Sequence, residues 1–202
     1  MDIILNSAAS VNFDDPIHEA LQINFYGARR IQELANECKH LLALHHVSTS
    51  YANTDLPNNS VVPEEILPFA GGKDWRALIA KIAAMEPQVL EREEPNILKH
   101  YGFPNTYTLT KNLAERMIRD SRRPDMRISV TRPAVITACH RFPFPGWTDS
   151  IAAAGAVVYG LGMGITNRDF CYENVTGTFT PCDYVVNAIL VATAHSVALP
   201  TP

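Results

Sequence analysis

Three short apolar runs, Ile3–Leu5, Leu42–Val47 and Ile128–Val130, are separated by long segments whose apolar residues recur at helical spacing. Strands that follow one another in this way, with helical crossovers between them, make the parallel alternation of an α/β sheet. The first run stops in Ser7-Ala8-Ala9-Ser10, small residues that let another group approach the backbone closely. A buried strand this near Met1 is expected either at a sheet edge or in a chain that lacks its opening strands.

The segment after it carries Ile17, Leu21, Ala28, Ile31, Ala35 and Cys38 on one stripe, opened by Asp14-Asp15-Pro16 as an acidic helix start. Asn24 falls on that stripe. A buried amide needs partners, so it is expected to tie the helix to a neighbouring loop, either as a satisfied core residue or as a holder of an active-site strand. The second strand ends in Ser48-Thr49-Ser50-Tyr51, and open α/β sheets place their chemistry at such strand ends. Residues 55–69 are Pro/Asn-rich and irregular.

Two amphipathic helices follow, one with Trp75, Leu78, Ile79 and Ile82, the other after Pro87 with Val89, Leu90 and Leu98. They form an inserted helical segment over about 70–100. A further helix starts near Pro104-Asn105-Thr106 and runs to about Arg122, and the third strand is ended by Arg132-Pro133. Beyond Ala138 come a Pro/aromatic loop (Phe142 to Trp147), an Ala/Gly-rich helix, a short strand near Thr178–Thr180 and a helix from Asp183 to about Ala194. Gly160-Leu-Gly-Met-Gly164 lacks the G-x-G-x-x-G spacing and reads as a helix end or turn.

With 202 residues, 47% of them hydrophobic, the chain is long enough for one domain over 1–202 with its own core. A net charge of -4 and no Lys/Arg cluster argue against a nucleic-acid surface. Cys38, Cys139, Cys171 and Cys182 include no C-x2-C pair, so no metal site is expected and the thiols read as reduced and intracellular. No basic leader precedes the first strand, and the apolar run from Ile151 to Ile165 is shorter than the roughly 20 residues that span a bilayer. The piece is expected to be soluble. His45 and His46 alternate across a strand and cannot share a metal, which leaves them as packing and surface residues. Cys139-His140 has no partner pair and is assigned no role.

Tyr107 and Lys111 form a Tyr-x-x-x-Lys pair one helical turn apart, with Ala114 and Ile118 on the same face. An ammonium beside a phenol favours the phenolate and lowers a pKa that starts near ~10. Such a tyrosine can give or take a proton while hydride moves at a carbonyl carbon. Thr49, with Ser48 beside it, supplies a hydroxyl for the carbonyl oxygen, although an ordinary strand-end turn also uses these residues.

Five segments in order then resemble one family. They are Asn6-Ser-Ala-Ala-Ser-Val-Asn-Phe-Asp14, His46-Val-Ser-Thr-Ser-Tyr-Ala-Asn53, Pro104-Asn-Thr-Tyr-Thr-Leu-Thr-Lys-Asn-Leu-Ala-Glu115, Pro143-Phe-Pro-Gly-Trp147 and Pro181-Cys-Asp-Tyr-Val-Val-Asn187. Together they resemble the fatty acyl-CoA reductases, a branch of the extended short-chain dehydrogenases/reductases. The resemblance implies a partial Rossmann-like parallel sheet with flanking helices. It implies Tyr107 as proton donor, Lys111 on the nicotinamide ribose, Thr49 or Ser48 at the carbonyl, Ala8 and Ala9 against the cofactor, and Pro133 and Ala134 beside the nicotinamide. The implied reaction is reduction of a long-chain fatty acyl-CoA by NADPH, through an aldehyde, to a fatty alcohol. Family members carry a Gly-rich dinucleotide-binding half before the first matching segment, and a helical domain, often with an anchor to the endoplasmic reticulum or peroxisome membrane, after the last. On that comparison the chain is expected to be the catalytic half of a longer enzyme, weak in activity alone, with an open sheet edge at Ile3–Leu5 that invites self-association. An extended reductase or epimerase acting on a nucleotide sugar, and a non-catalytic interaction fragment, are the alternatives. Apolar residues of the 75–98 helices and the 142–147 loop are read either as an acyl-chain wall or as core packing.

Overall fold

The computed structural model describes residues 1–152, 154–166 and 177–199; Cys171 lies outside the described residues. Where the sequence reads as one domain, the chain divides into two compact units. One is Met1–Arg132 together with the chain from Thr193 onward, and the other is Pro133–Ala192. The division falls at Pro133, which has no N–H to continue a strand ladder.

In the first unit, β1 (Ile3–Asn6), β2 (Ala43–Val47) and β3 (Arg127–Thr131) form a parallel sheet in that order. Ile3 pairs with Ala43 and Asn6 with His46, while Ala43 pairs with Arg127 and Val47 with Thr131. β2 is flanked on both sides, and Ala43, Leu44, His45 and His46 are all buried. This corrects the expectation of a surface histidine. His45 Nδ1 meets Ser129 Oγ at 2.7 Å, and Asn6 Nδ2 meets His46 Nδ1 at 3.2 Å, each across the adjacent strand. β1 is buried less than expected. Alternation turns Ile4 toward the core and leaves Ile3 and Leu5 exposed on the other face.

The helix after β1 is three joined pieces: α1 (Ile17–Ala20), a π turn (Leu21–Tyr26) and α2 (Gly27–Glu37). Its wider turn shifts the buried stripe so that Gln32, and not Ile31, is fully enclosed. The acidic opening does not cap α1. Asp15 stays in the preceding loop, where its carboxylate accepts from Ser10 Oγ and Asn12 Nδ2, and Ile17 N donates instead to Glu94 Oε2 at 2.7 Å. Asn24 does tie the helix to that loop, through both backbone groups of Ser10.

The inserted segment comprises α3 (Trp75–Ala83) and α4 (Pro87–Tyr101), which bury Leu78, Ile82, Leu90 and Ile97 in the same core as Phe25, Leu44, Leu109 and Leu113. Their buried apolar face is thus core packing. α5 (Thr106–Ser121) is enclosed from Thr106 to Ile118, polar residues included. Its cations hold the irregular stretch before α3 by its carbonyls: Arg116 donates to Pro68 O (3.1 Å) and Arg119 to Ile66 O (3.0 Å). Arg132, at the end of β3, donates to Glu65 O at 3.0 Å.

The second unit pairs β4 (Val135–Thr137) with β5 (Phe179–Pro181) in parallel. β4 was not expected, because three residues behind a proline give too short a pattern to read. α6 (Ala154–Gly162) follows the Pro/aromatic loop, and α7 (Cys182–Ala198) follows β5. Gly164, just past α6, has a φ of 69°, in keeping with a turn there. Asp183 accepts the backbone N–H groups of His140 (2.9 Å), Arg141 (2.9 Å) and Phe142 (3.2 Å), and these donors hold its carboxyl down at about 2. No described helix is long and apolar enough to cross a membrane.

Candidate active site

The ladder between β2 and β3 continues one residue past the strands, since Ser48 N donates to Thr131 O at 2.8 Å. The chain then turns into a short 3-10 helix, Ser50–Asn53, capped by Thr49 Oγ1, which accepts from Tyr51 N at 3.3 Å. Both hydroxyl residues are therefore fixed at the strand end, and both are buried. On the facing element, Asn105 caps α5 by accepting from Thr108 N at 2.9 Å, which sets the phase of the first turn. That phase turns Tyr107 and Lys111 inward. Lys111 Nζ donates to Val47 O at 2.7 Å, and the Thr49 side chain lies close enough to the Tyr107 phenol to interact with it. Thr49, Tyr107 and Lys111 thus meet at the C-terminal end of β2. Ser48 Oγ is buried there too, with no hydrogen-bond partner among the described residues.

Burial dominates the electrostatics. It pushes the Tyr107 phenol up, with Tyr51 adding to the rise and the Thr49 side chain opposing it. The direction is opposite to that expected from a neighbouring lysine: desolvation dominates, and the Lys111 ammonium is engaged at the Val47 carbonyl. The tyrosine is consequently protonated at neutral pH, the state in which it can donate. Burial also lowers Lys111 to about 8, against the attraction of Glu115. His46 falls to about 3 through burial, Lys111 and His45, so it is neutral and adds no competing charge.

Glu115 and Phe13 join the site without a role assigned from sequence, and Asn24 joins it by the loop tie that its place on the helix stripe predicts. Glu115, two turns after Tyr107, is fully buried and held by Arg132 through Nε (2.9 Å) and Nη2 (2.7 Å). Its signal was the extension of the helix pattern by four residues to Tyr-x-x-x-Lys-x-x-x-Glu. Asn24, besides holding Ser10, donates to Thr110 Oγ1 at 3.2 Å and so joins the loop after β1 to α5. Phe13 lies in that loop with its ring centroid 5.1 Å from that of Tyr107. No periodicity marks it.

Of the expected cofactor contacts, Ala8 is exposed and Ala9 half-buried in the loop after β1. Pro133 and Ala134 open the second unit, where both are half-buried.

A family model labelled NAD-binding and described as "Male sterility protein" matches residues 1–189. The chain belongs to this family. Similar curated members include "Fatty acyl-CoA reductase wat" of Drosophila melanogaster, 31% identical over 95% of this chain and 36% of that protein. "Alcohol-forming fatty acyl-CoA reductase" of Simmondsia chinensis is 28% identical over 97% of this chain and 43% of its own length. The chain thus spans well under half of either relative. Among solved structures, the terminal R domain from the myxalamid PKS-NRPS biosynthetic pathway superposes with a TM-score of 0.60 over 94% of this chain and 39% of that one, at 22% identity. That likeness shows a shared fold, a parallel α/β arrangement with flanking helices.

The residues present fit the reactive end of a nicotinamide cofactor. Lys111 spends one ammonium donor on Val47 O and keeps two more, Ser48 Oγ is a buried hydroxyl with no partner among the described residues, and the small Ala8 and Ala9 leave the strand end approachable. Among the described residues no His/Cys/Asp/Glu group suited to a metal occurs.

Proposed function

We propose that this chain carries the proton-donating half of a reductase that converts long-chain fatty acyl-CoA thioesters to fatty alcohols with NADPH. The observation that supports it most is the meeting of a protonated Tyr107, Thr49 and Lys111 at one strand end, in a family whose similar members are named fatty acyl-CoA reductases. Lys111 would hold the nicotinamide ribose, with Ala8, Ala9, Pro133 and Ala134 along the cofactor. When bound, that cofactor supplies the hydride.

Thr49, with Ser48 beside it, orients the thioester carbonyl and Tyr107 gives its phenolic proton to the oxygen as hydride reaches the carbon. The hydroxyl proton of the resulting hemithioacetal then returns to the Tyr107 phenolate as the carbon–sulfur bond breaks, which releases the CoA thiolate and leaves an aldehyde. Tyr107, reprotonated, donates again in a second reduction to the alcohol, so each product consumes two hydrides. Lys111 keeps a positive charge beside the phenolate left after each donation, which lowers the cost of forming it in a dry site. On the same reading the enzyme works inside the cell at the endoplasmic reticulum or peroxisome membrane, attached by segments other than the helices described here.

The test is turnover of palmitoyl-CoA with NADPH by the intact enzyme and its Tyr107→Phe variant, following thiol release and alcohol. Loss of about 10²–10⁴-fold in kcat with acyl-CoA binding retained is expected. Equal turnover by the two proteins would remove Tyr107 from the chemistry.

A further inference from the structure

Phe13 is an exposed aromatic on a loop built to be rigid. About half of its surface is open to solvent (51%), yet its ring sits 5.1 Å from the Tyr107 ring at an interplanar angle of 31°. Upstream of it, Ser10 N donates to Asn24 Oδ1 (2.9 Å) and Asn24 Nδ2 to Ser10 O (3.2 Å). Downstream, Asp14 N donates to Asn12 Oδ1 (3.2 Å) and Thr106 Oγ1 to Asp15 O (2.8 Å). Asn12 Nδ2 closes the loop on Asp15 Oδ1 at 2.6 Å. These bonds pin both flanks of the phenylalanine to the π turn and to α5, so its ring is held in place relative to Tyr107.

The surroundings make the ring's chemistry distinctive. Thr49 and Tyr51 give the phenol polar neighbours, whereas Phe13 is an apolar surface beside it that stays open. A substrate whose carbonyl meets Thr49 and Tyr107 has to lay its next carbons on something apolar.

We propose that Phe13 is a specificity-determining residue: a fixed apolar flank beside Tyr107 against which the carbons adjoining the reacting thioester carbonyl lie. The proposal rests on the acyl-CoA reading above and names which part of the substrate this loop recognises. It accounts for the hydrogen bonds on both sides of the ring, since a wall that moved would select nothing.

Phe13→Ala and Phe13→Leu in the intact enzyme test it, with palmitoyl-CoA and acetyl-CoA as substrates. For Phe13→Ala we expect kcat/KM on palmitoyl-CoA to fall about 10-fold, carried by KM, with Phe13→Leu restoring most of it and acetyl-CoA changed by less than about 2-fold. In the Tyr107→Phe background, where turnover does not interfere, calorimetric Kd for palmitoyl-CoA is expected to weaken by the same factor in Phe13→Ala. Half the ring is already in solvent, so an unchanged unfolding midpoint serves as the check on the fold. An equal loss on both substrates, or a loss in kcat alone, would overturn the proposal and leave Phe13 as packing for Tyr107. A wild-type enzyme that binds and reduces no acyl-CoA would overturn the parent reading instead.

Discussion

Lys111 is expected to weaken the fold that carries it, and Lys111→Met measures by how much. The ammonium is buried, and its pKa drops from 10.5 to about 8. Holding the proton at pH 7 therefore costs roughly 3 kcal/mol relative to the unfolded chain. Methionine fills a similar volume without the charge, but forfeits the hydrogen bond to Val47 O, worth about 1.5–3 kcal/mol for a charged donor. The difference leaves K111M more stable at pH 7 by up to about 1.5 kcal/mol, which raises Tm by roughly 2–4 °C per kcal/mol in a chain of this size.

The pH dependence is the sharper signature. A depressed pKa gives a contribution that is present above 10.5 and lost as pH falls through about 8, so wild type carries its full disadvantage below pH 8 and sheds it by pH 10.5. Urea unfolding of both proteins from pH 7 to 10.5 should show the advantage of K111M shrinking and then reversing. Groups that titrate alike in both proteins cancel in the difference. A K111M protein less stable than wild type at pH 7, with a gap that stays flat across the range, would refute the assignment of a buried, costly charge.

Glu115→Gln should destabilise the fold by about 3–5 kcal/mol, because it removes the buried carboxylate that pairs with Arg132 and attracts Lys111. Limited proteolysis should then cut sooner within residues 63–66, whose carbonyls Arg132 and Arg119 hold. His46, depressed from 6.5 to about 3, contributes stability that is present above pH 6.5 and lost as pH falls toward 3. Its full loss is of order 4–5 kcal/mol. His46→Gln should flatten acid unfolding between pH 6 and about 4 by urea titration. We also propose that the exposed Ile3 and Leu5 on edge strand β1 drive self-association. Leu5→Lys should shift sedimentation toward monomer, and an unchanged profile would count against that edge.

What was legible in the sequence was what repeats. The three parallel strands, the two inserted helices and α5 follow from apolar spacing, and Tyr107, Lys111 and Thr49 follow from a spacing that puts them on one helix face and one strand end. Features that depend on a single distant contact were not legible. The π turn at Leu21–Tyr26 keeps an ordinary helical pattern on either side, so nothing in the pattern announces it. Asp14-Asp15-Pro16 reads as an acidic helix start, but Asp15 stays in the loop and the first N–H of α1, on Ile17, goes to Glu94, 77 residues away. The pKa of Tyr107 went the other way for the same reason. Spacing places an ammonium near a phenol, whereas the sign of the shift depends on how much water the surrounding fold removes.

The site is therefore best understood through the enclosure of α5. A helix buried over three turns ordinarily carries apolar residues, yet this one encloses Lys111, Asn112, Glu115 and Arg116. Each finds a partner from a different part of the chain: Val47 O from β2, Ala52 O from the 3-10 turn, Arg132 from the residue after β3, and Pro68 O from the stretch before α3. Those bonds fix the helix in rotation as well as in depth, which apolar packing alone does less sharply. Rotation is what the chemistry depends on. A slip of one residue would carry Tyr107 about 100° away from Thr49, since successive residues are spaced 3.6 to the turn. The buried charges that cost the fold stability are, on this argument, the same ones that keep a proton donor aimed at one strand end.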